Sequence, residues 1–180
     1  MSTCVALIRG INVGVGKRVA MADLRDLVAD LGHTDVRTLL NSGNVVFKSR
    51  RPNVVKVSAG IEAAIAANCG FAANVMVVTA QELDRIIDEN PLLHLAKEPS
   101  KHLVAFVGHA KYLEPLRPLL KERWNPDALA ITQRAAYLWC AKGLLDSKMA
   151  LAFNRKAGDT VTARNWATVL KLQAAAKEAT

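Results

Sequence analysis

Long apolar runs are missing from this 180-residue chain: none approaches the ~18 residues a membrane-spanning helix requires. The short apolar run Cys4 to Ile8 is broken by Arg9 and follows no basic segment, so it does not read as a signal-peptide core. Cysteine is scarce. The three present, Cys4, Cys69 and Cys140, are far apart, odd in number and match no Cys-x-x-Cys pattern, which excludes a disulfide scaffold and a zinc ribbon and suits a reducing compartment. The expectation is a soluble, cytoplasmic protein. The four histidines, His33, His94, His102 and His109, lack metal-ligand spacing and read as surface or turn residues. Gly-x-Ser-x-Gly is absent around Ser42, and the carboxylates fall mostly on outer helix faces. No catalytic set, metal site or cofactor is therefore expected. Aromatics are few, and the strand Cys4 to Ile8 carries none, which disfavours RNA stacking on a sheet face.

What the chain has in quantity is apolar and basic residues. At 51% hydrophobic it is long enough to bury about 70% of the surface its unfolded form exposes. Its net charge of +8 favours acidic partners, nucleic acid and phosphate-bearing small molecules among them. The stretch Leu7 to Val19 concentrates both properties. A short strand runs into a basic loop with glycines at 10, 14 and 16, followed by Lys17, Arg18 and the start of a helix. Exposed amides, two cations and a helix dipole together suit an anion. A Walker A loop is excluded, because Ile11 and Arg18 stand where Gly and Ser or Thr are required; a dinucleotide fingerprint is excluded by Val19.

In order, the chain reads as a strand at Thr3 to Arg9, a helix from Met21 ended by Gly32, and a hairpin of Val36 to Leu40 and Val45 to Phe47 turning through Asn41-Ser42-Gly43-Asn44. A helix opened by Pro52 then closes near Cys69-Gly70, and a strand follows at Ala73 to Thr79. That order is the split βαβ, or ferredoxin-like, unit. Thr79 to Glu82 is a capping box for a third helix, and Leu92 to Ser100 is the best linker. The order strand, helix, strand, strand recurs over Lys101 to Val107, Tyr112 to Trp124, Ala128 to Thr132 and Ala136 to Cys140, with Pro115 and Pro118 disturbing the helix. The expected class is α+β: two ferredoxin-like halves, 1–90 and 91–180, the second partial, with a C-terminal helix. Ser147 caps a short helix through Phe153, and Arg155 to Asp159 is a polar break. Thr162 is read as the N-cap of a helix over Ala163 to about Lys177, with a fraying tail from Ala174 to Thr180.

On that helix Trp166 belongs to the packing stripe, while Arg164, Thr168 and Lys171 align on a neighbouring face. A cation in the first turn opposes the dipole, so Arg164 is either paired or awaits an anion.

Three ordered motifs then resemble the signature of a widespread bacterial family catalogued only as a domain of unknown function: Arg9-Gly10-Ile11-Asn12-Val13-Gly14, Asn41-Ser42-Gly43-Asn44-Val45-Val46-Phe47, and Thr162 to Val169 with its Arg164-Asn165-Trp166 core. The resemblance implies a duplicated α+β fold of ferredoxin-like halves and no established activity. Family members usually read Gly-Gly after Asn-Val and often carry Pro before the first helix, where this chain has Gly14-Val15-Gly16 and Ala20.

The expected function is a basic binding module for an anionic ligand, phosphate-bearing, nucleotide-like or nucleic-acid. Its candidate residues are Arg9, Asn12, Lys17, Arg18, Ser42, Asn44, Arg164, Asn165 and Lys171. The alternative is an enzyme with an unrecognised site in the cleft between halves, and a third reading makes the motifs packing devices beside a partner surface.

Overall fold

The computed structural model describes residues 1–50, 52–95 and 97–179. They form two compact units, one of Met1–Asp84 with the segment from Leu172 onward, the other of Arg85–Lys171. Each contains a four-stranded antiparallel sheet.

In the first unit β1 (Ser2–Arg9), α1 (Met21–Asp30), β2 (Thr34–Leu39), β3 (Asn44–Ser49), α2 (Val54–Cys69) and β4 (Asn74–Thr79) build a sheet of order β2-β3-β1-β4. β1 is central, pairing with β3 and β4. Its residues Cys4, Ala6 and Ile8 meet Val45, Phe47, Val75 and Val77 on one face, where Leu24 and Val28 of α1 and Ile61 and Ile65 of α2 complete the core. Val5 and Leu7, on the opposite face, are buried too, which is why β1 reads as continuous rather than alternating apolarity. Burying a side chain such as Phe47 or Ile61 contributes roughly 1.5–3 kcal/mol. The edge strand β2 is irregular between Thr34 and Arg37 and carries charged residues, features that discourage edge-to-edge pairing. Asn53, rather than Pro52, caps α2 by accepting from Lys56 N–H at 3.1 Å. α3 (Ala80–Asp88) starts at the expected box, with Thr79 Oγ1 accepting from Glu82 N–H at 3.1 Å.

The second unit contains β5 (His102–Val107), a 3₁₀ run at Ala110–Lys121, β6 (Ala128–Ile131), β7 (Ala135–Trp139), α4 (Lys148–Ala157), β8 (Val161–Asn165) and the start of α5 (Trp166–Glu178), whose residues from Leu172 belong to the first unit. The segment expected as a helix around Tyr112 to Trp124 is 3₁₀ because Pro115 and Pro118 lack the N–H groups an α-helical ladder requires. Its buried leucines, Leu113, Leu116 and Leu119, recur every three residues, the period of that tighter helix. They pack with Met149 and Phe153 of α4 against Ala105, Ala136 and Leu138. Ser147 caps α4 as expected, accepting from Ala150 N–H at 2.9 Å, but the helix continues through Ala157 into the anticipated polar break.

One expectation is overturned here. Thr162 does not cap a helix: Val161–Asn165 is the strand β8, paired with β5 from Leu103↔Asn165 to Val107↔Val161. The capping signal loses to tertiary pairing, because Val161 joins the buried core and Thr162 is buried beside it. The second sheet, order β6-β7-β5-β8, thereby gains a fourth strand that the sequence reading did not contain. The α+β class and its two halves stand. α5 stays helical to Glu178 with Ala176 and Ala179 buried, against the expected fraying, and Thr180 lies outside the described residues. The linker Leu92 to Ser100 includes Ala96, which also lies outside them.

Candidate functional site

The loop between β1 and α1 is built on left-handed residues at alternate positions: Gly10, Asn12, Gly14 and Gly16 all have φ between 56° and 105°, and Lys17 follows at 43°. In alternation with right-handed residues, left-handed positions gather successive N–H groups on one concave side. The loop closes on itself, with Asn12 N–H donating to the Lys17 carbonyl at 3.0 Å. Arg18 Nη2 donates to the Gly14 carbonyl at 2.7 Å, and Lys17 Nζ donates to the Ala72 carbonyl at 3.0 Å while lying 5.9 Å from the Phe71 ring centre. Each cation keeps further N–H donors for a ligand, and both side chains are exposed. Val13 and Val15 also stand in solvent. The loop delivers the chain to α1, whose N-cap position is Ala20 and whose first turn receives no side-chain cap. Those amides lie at the positive end of the helix dipole, in the same turn as the carboxylate of Asp23.

Asn12 serves the loop rather than its surroundings. Its Oδ1 accepts from Val19 N–H and its Nδ2 donates to the carbonyls of Val19 and Asn41, each at 2.9 Å. The second motif completes that join. Ile8 N–H donates to the Gly43 carbonyl at 2.8 Å, and a Cβ on Gly43 would lie 2.9 Å from Ile11 Cδ1. The buried Asn44 donates through Nδ2 to the Leu39 carbonyl and to Ser42 Oγ, both at 3.0 Å. The first two signature motifs therefore fold as one interlocked element, in which Asn12, Ser42 and Asn44 brace the turn. Arg9 ends β1 opposite Asn74 and is half-buried.

The third motif lies in the other compact unit; Trp166 to Val169 and Lys171 are on the helix α5 as expected, but Thr162 to Asn165 do not sit where the helical reading put them. Arg164 is on β8, paired with Val104, and donates from Nη1 to the Ala163 carbonyl at 2.9 Å. The first-turn dipole argument for it therefore fails. Partial burial lowers the Arg164 pKa to about 10, which leaves it cationic at neutral pH. Asn165 caps α5, its Oδ1 accepting from Thr168 N–H at 2.9 Å. Trp166 is buried and meets His102 edge to face at 5.4 Å between ring centres. Lys171 is exposed on α5.

His102 corrects the expectation of surface histidines. It is fully buried, and its Nε2 lies 2.8 Å from Asn90 Nδ2. Asn90 Oδ1 accepts from Leu92 N–H at 3.0 Å, so its amide group donates to Nε2 and the imidazole proton resides on Nδ1, which has no partner among the described residues. Burial pushes the His102 pKa down to about 4. The burial was readable from the two-residue period His102, Val104, Phe106 on β5. Asp127 was missed as well: it accepts from Ala141 N–H at 2.8 Å and from Ser147 Oγ at 2.7 Å, locking the start of α4. Nothing in its local sequence signals that role. Among the described residues no group of three or more His, Cys, Asp or Glu is placed to hold a metal, and no helix is long and apolar enough to cross a membrane.

Comparison with known proteins places this geometry. The fold is similar to that of a conserved bacterial protein, SP0830, from Streptococcus pneumoniae, with a TM-score of 0.76 and 19% identity over 97% of this chain and 98% of that one. No curated protein matches the chain. The family model that matches covers residues 1–137, which includes the interlocked first and second motifs and stops short of the third. By that match, over most of its length, the chain belongs to the family described as protein of unknown function, DUF1697.

Proposed function

We propose that the protein is a basic binding module whose β1–α1 loop seats a phosphate-bearing ligand. The single observation that carries this reading is the alternate left-handed backbone at Gly10, Asn12, Gly14 and Gly16, continued by Lys17 and Arg18 into an uncapped helix start. Such a loop offers bare amides to an anion, and the two side chains add charge that a phosphate group recognises. Asn12 and the second motif hold the loop in that shape before any ligand arrives, which reduces the entropy lost on binding. Calorimetric titration at low salt with a phosphate, nucleotide and RNA panel tests the reading. At least one member is expected to release heat, with binding lost in Lys17→Ala/Arg18→Ala. Absence of heat across the panel, or binding unchanged in that variant, contradicts it. The net charge of +8 makes weak, salt-sensitive binding of any polyanion unremarkable, so the variant rather than the bare affinity decides.

We also propose that the two halves are ferredoxin-like copies of one duplicated unit in a cytoplasmic bacterial protein. What supports the duplication is the identical strand permutation, β2-β3-β1-β4 and β6-β7-β5-β8, each followed by a trailing helix. Three free cysteines support a reducing compartment.

A further inference from the structure

Two surfaces of opposite charge are left unexplained by ligand binding at the loop. In the first unit a groove of about 410 Å³ runs between α1 and α2. Its floor is apolar, formed by Val19, Leu27, Leu31 and Ala64, and its rim on α1 carries Asp23, Asp26 and Asp30, of which Asp26 is bridged by Arg25 at 2.9 Å. These carboxylates sit at i, i+3 and i+7, so they form one stripe along the helix. On a chain with a net charge of +8 such an acidic stripe is a local exception. In the second unit the outward face of α4 is its complement. Lys148 and Arg155 are separated by the same seven residues, Leu151 lies between them at 62% exposure, and the preceding turn presents Leu145 at 99% beside the one acid among the described residues of the patch, Asp146. Leu144, Leu145 and Leu151 line one patch with Lys148, and contiguous exposed apolar surface rimmed by polar residues marks interaction sites.

We propose that the α1–α2 groove takes the exposed α4 face of a second copy of this chain. Leu151 and Leu145 meet the apolar floor, and Lys148 and Arg155 meet the aspartate stripe. Groove and ridge are different patches of one chain, so at each contact one copy offers the groove and the other offers the ridge.

The choice of variants follows from helix electrostatics. Asp30→Lys removes an acid from the C-terminal end of α1, and Lys148→Glu places one at the N-terminal start of α4; both changes suit the helix dipole and leave folding intact. Sedimentation velocity of the full chain over a concentration series is expected to show self-association in the wild type. Each single reversal shifts that association to about tenfold higher concentration or beyond, as exchanging an attractive exposed pair for a repulsive one does. The decisive measurement mixes the two variants: Asp30→Lys retains its ridge and Lys148→Glu retains its groove, so the mixture forms a complex that neither forms alone. Circular dichroism melts of the two variants check that both are folded. A wild type that stays monomeric throughout, association indifferent to both reversals, or a mixture that behaves as the sum of its parts overturns the proposal. Failure of this assay leaves the loop reading untouched, since neither variant alters Lys17 or Arg18.

Discussion

Gly43 and Gly10 separate two reasons for keeping a glycine. Both have positive φ, but a Cβ at Gly43 meets Ile11 and Ile8 at 2.9–3.0 Å, whereas one at Gly10 meets nothing within 4 Å. Gly10→Ala should therefore cost only the left-handed backbone penalty of about 1–2 kcal/mol. Gly43→Ala adds overpacking and should cost about 1–3 kcal/mol more. Urea unfolding of the two variants measures the difference, and equal costs would mean that the interlock of the first two motifs is looser than described. Asn12 belongs to the same interlock. Its three side-chain hydrogen bonds make Asn12→Ala destabilising by about 1–3 kcal/mol, with the Val19 amide, which loses its acceptor, exchanging faster with solvent. At this scale the sequence showed which residues matter more readily than what they do: Asn12, Ser42 and Asn44 stood out as polar loop residues suited to a ligand, and their hydrogen bonds go chiefly to the loop itself. A side-chain amide in a turn looks the same in sequence whether it faces a carbonyl or a solute.

Elements with a strong period were legible, and those where two signals competed were not. The periods of α1 and β1, the hairpin at Asn41 to Asn44 and the box at Thr79 all appear within a few residues of their expected places. The region from Val161 to Trp166 misled because Thr162 and Asn165 are both good capping residues, and choosing between them requires knowing that β5 has an unpaired edge for β8 to fill. Substitution distinguishes the two assignments. Asn165→Ala should destabilise by about 1 kcal/mol through loss of its bond to Thr168 N–H, while Thr162→Val, which keeps the β-branched shape a strand favours, should cost less. The reverse ranking would restore Thr162 as the cap. The 3₁₀ run was half legible: the prolines announced a disturbed helix, while the three-residue leucine period that carries its geometry went unread.

Across the whole molecule the buried His102 sets an acid limit on stability. It is neutral in the fold with a pKa near 4, against an ordinary value of 6.5, so below pH 6.5 the unfolded chain binds a proton that the folded chain refuses. Its contribution is complete above 6.5 and falls away as the pH drops toward 4, by about 3 kcal/mol across that window. Denaturation midpoints at intervals from pH 7 to 4 should trace this slope, and His102→Gln, which takes up no proton, should flatten it. The other global property, positive charge, was legible from composition, but its distribution was not. The aspartates of α1 line a groove and the cations of the β1–α1 loop crown a strained turn, an arrangement that only folding produces. The most direct test of the loop as a phosphate seat is a two-dimensional amide NMR titration with inorganic pyrophosphate at low salt. Shifts confined to residues 10–22, saturating with added pyrophosphate and abolished by Lys17→Ala/Arg18→Ala, are the predicted result. Shifts absent from this segment, or equally present in the variant, would contradict it.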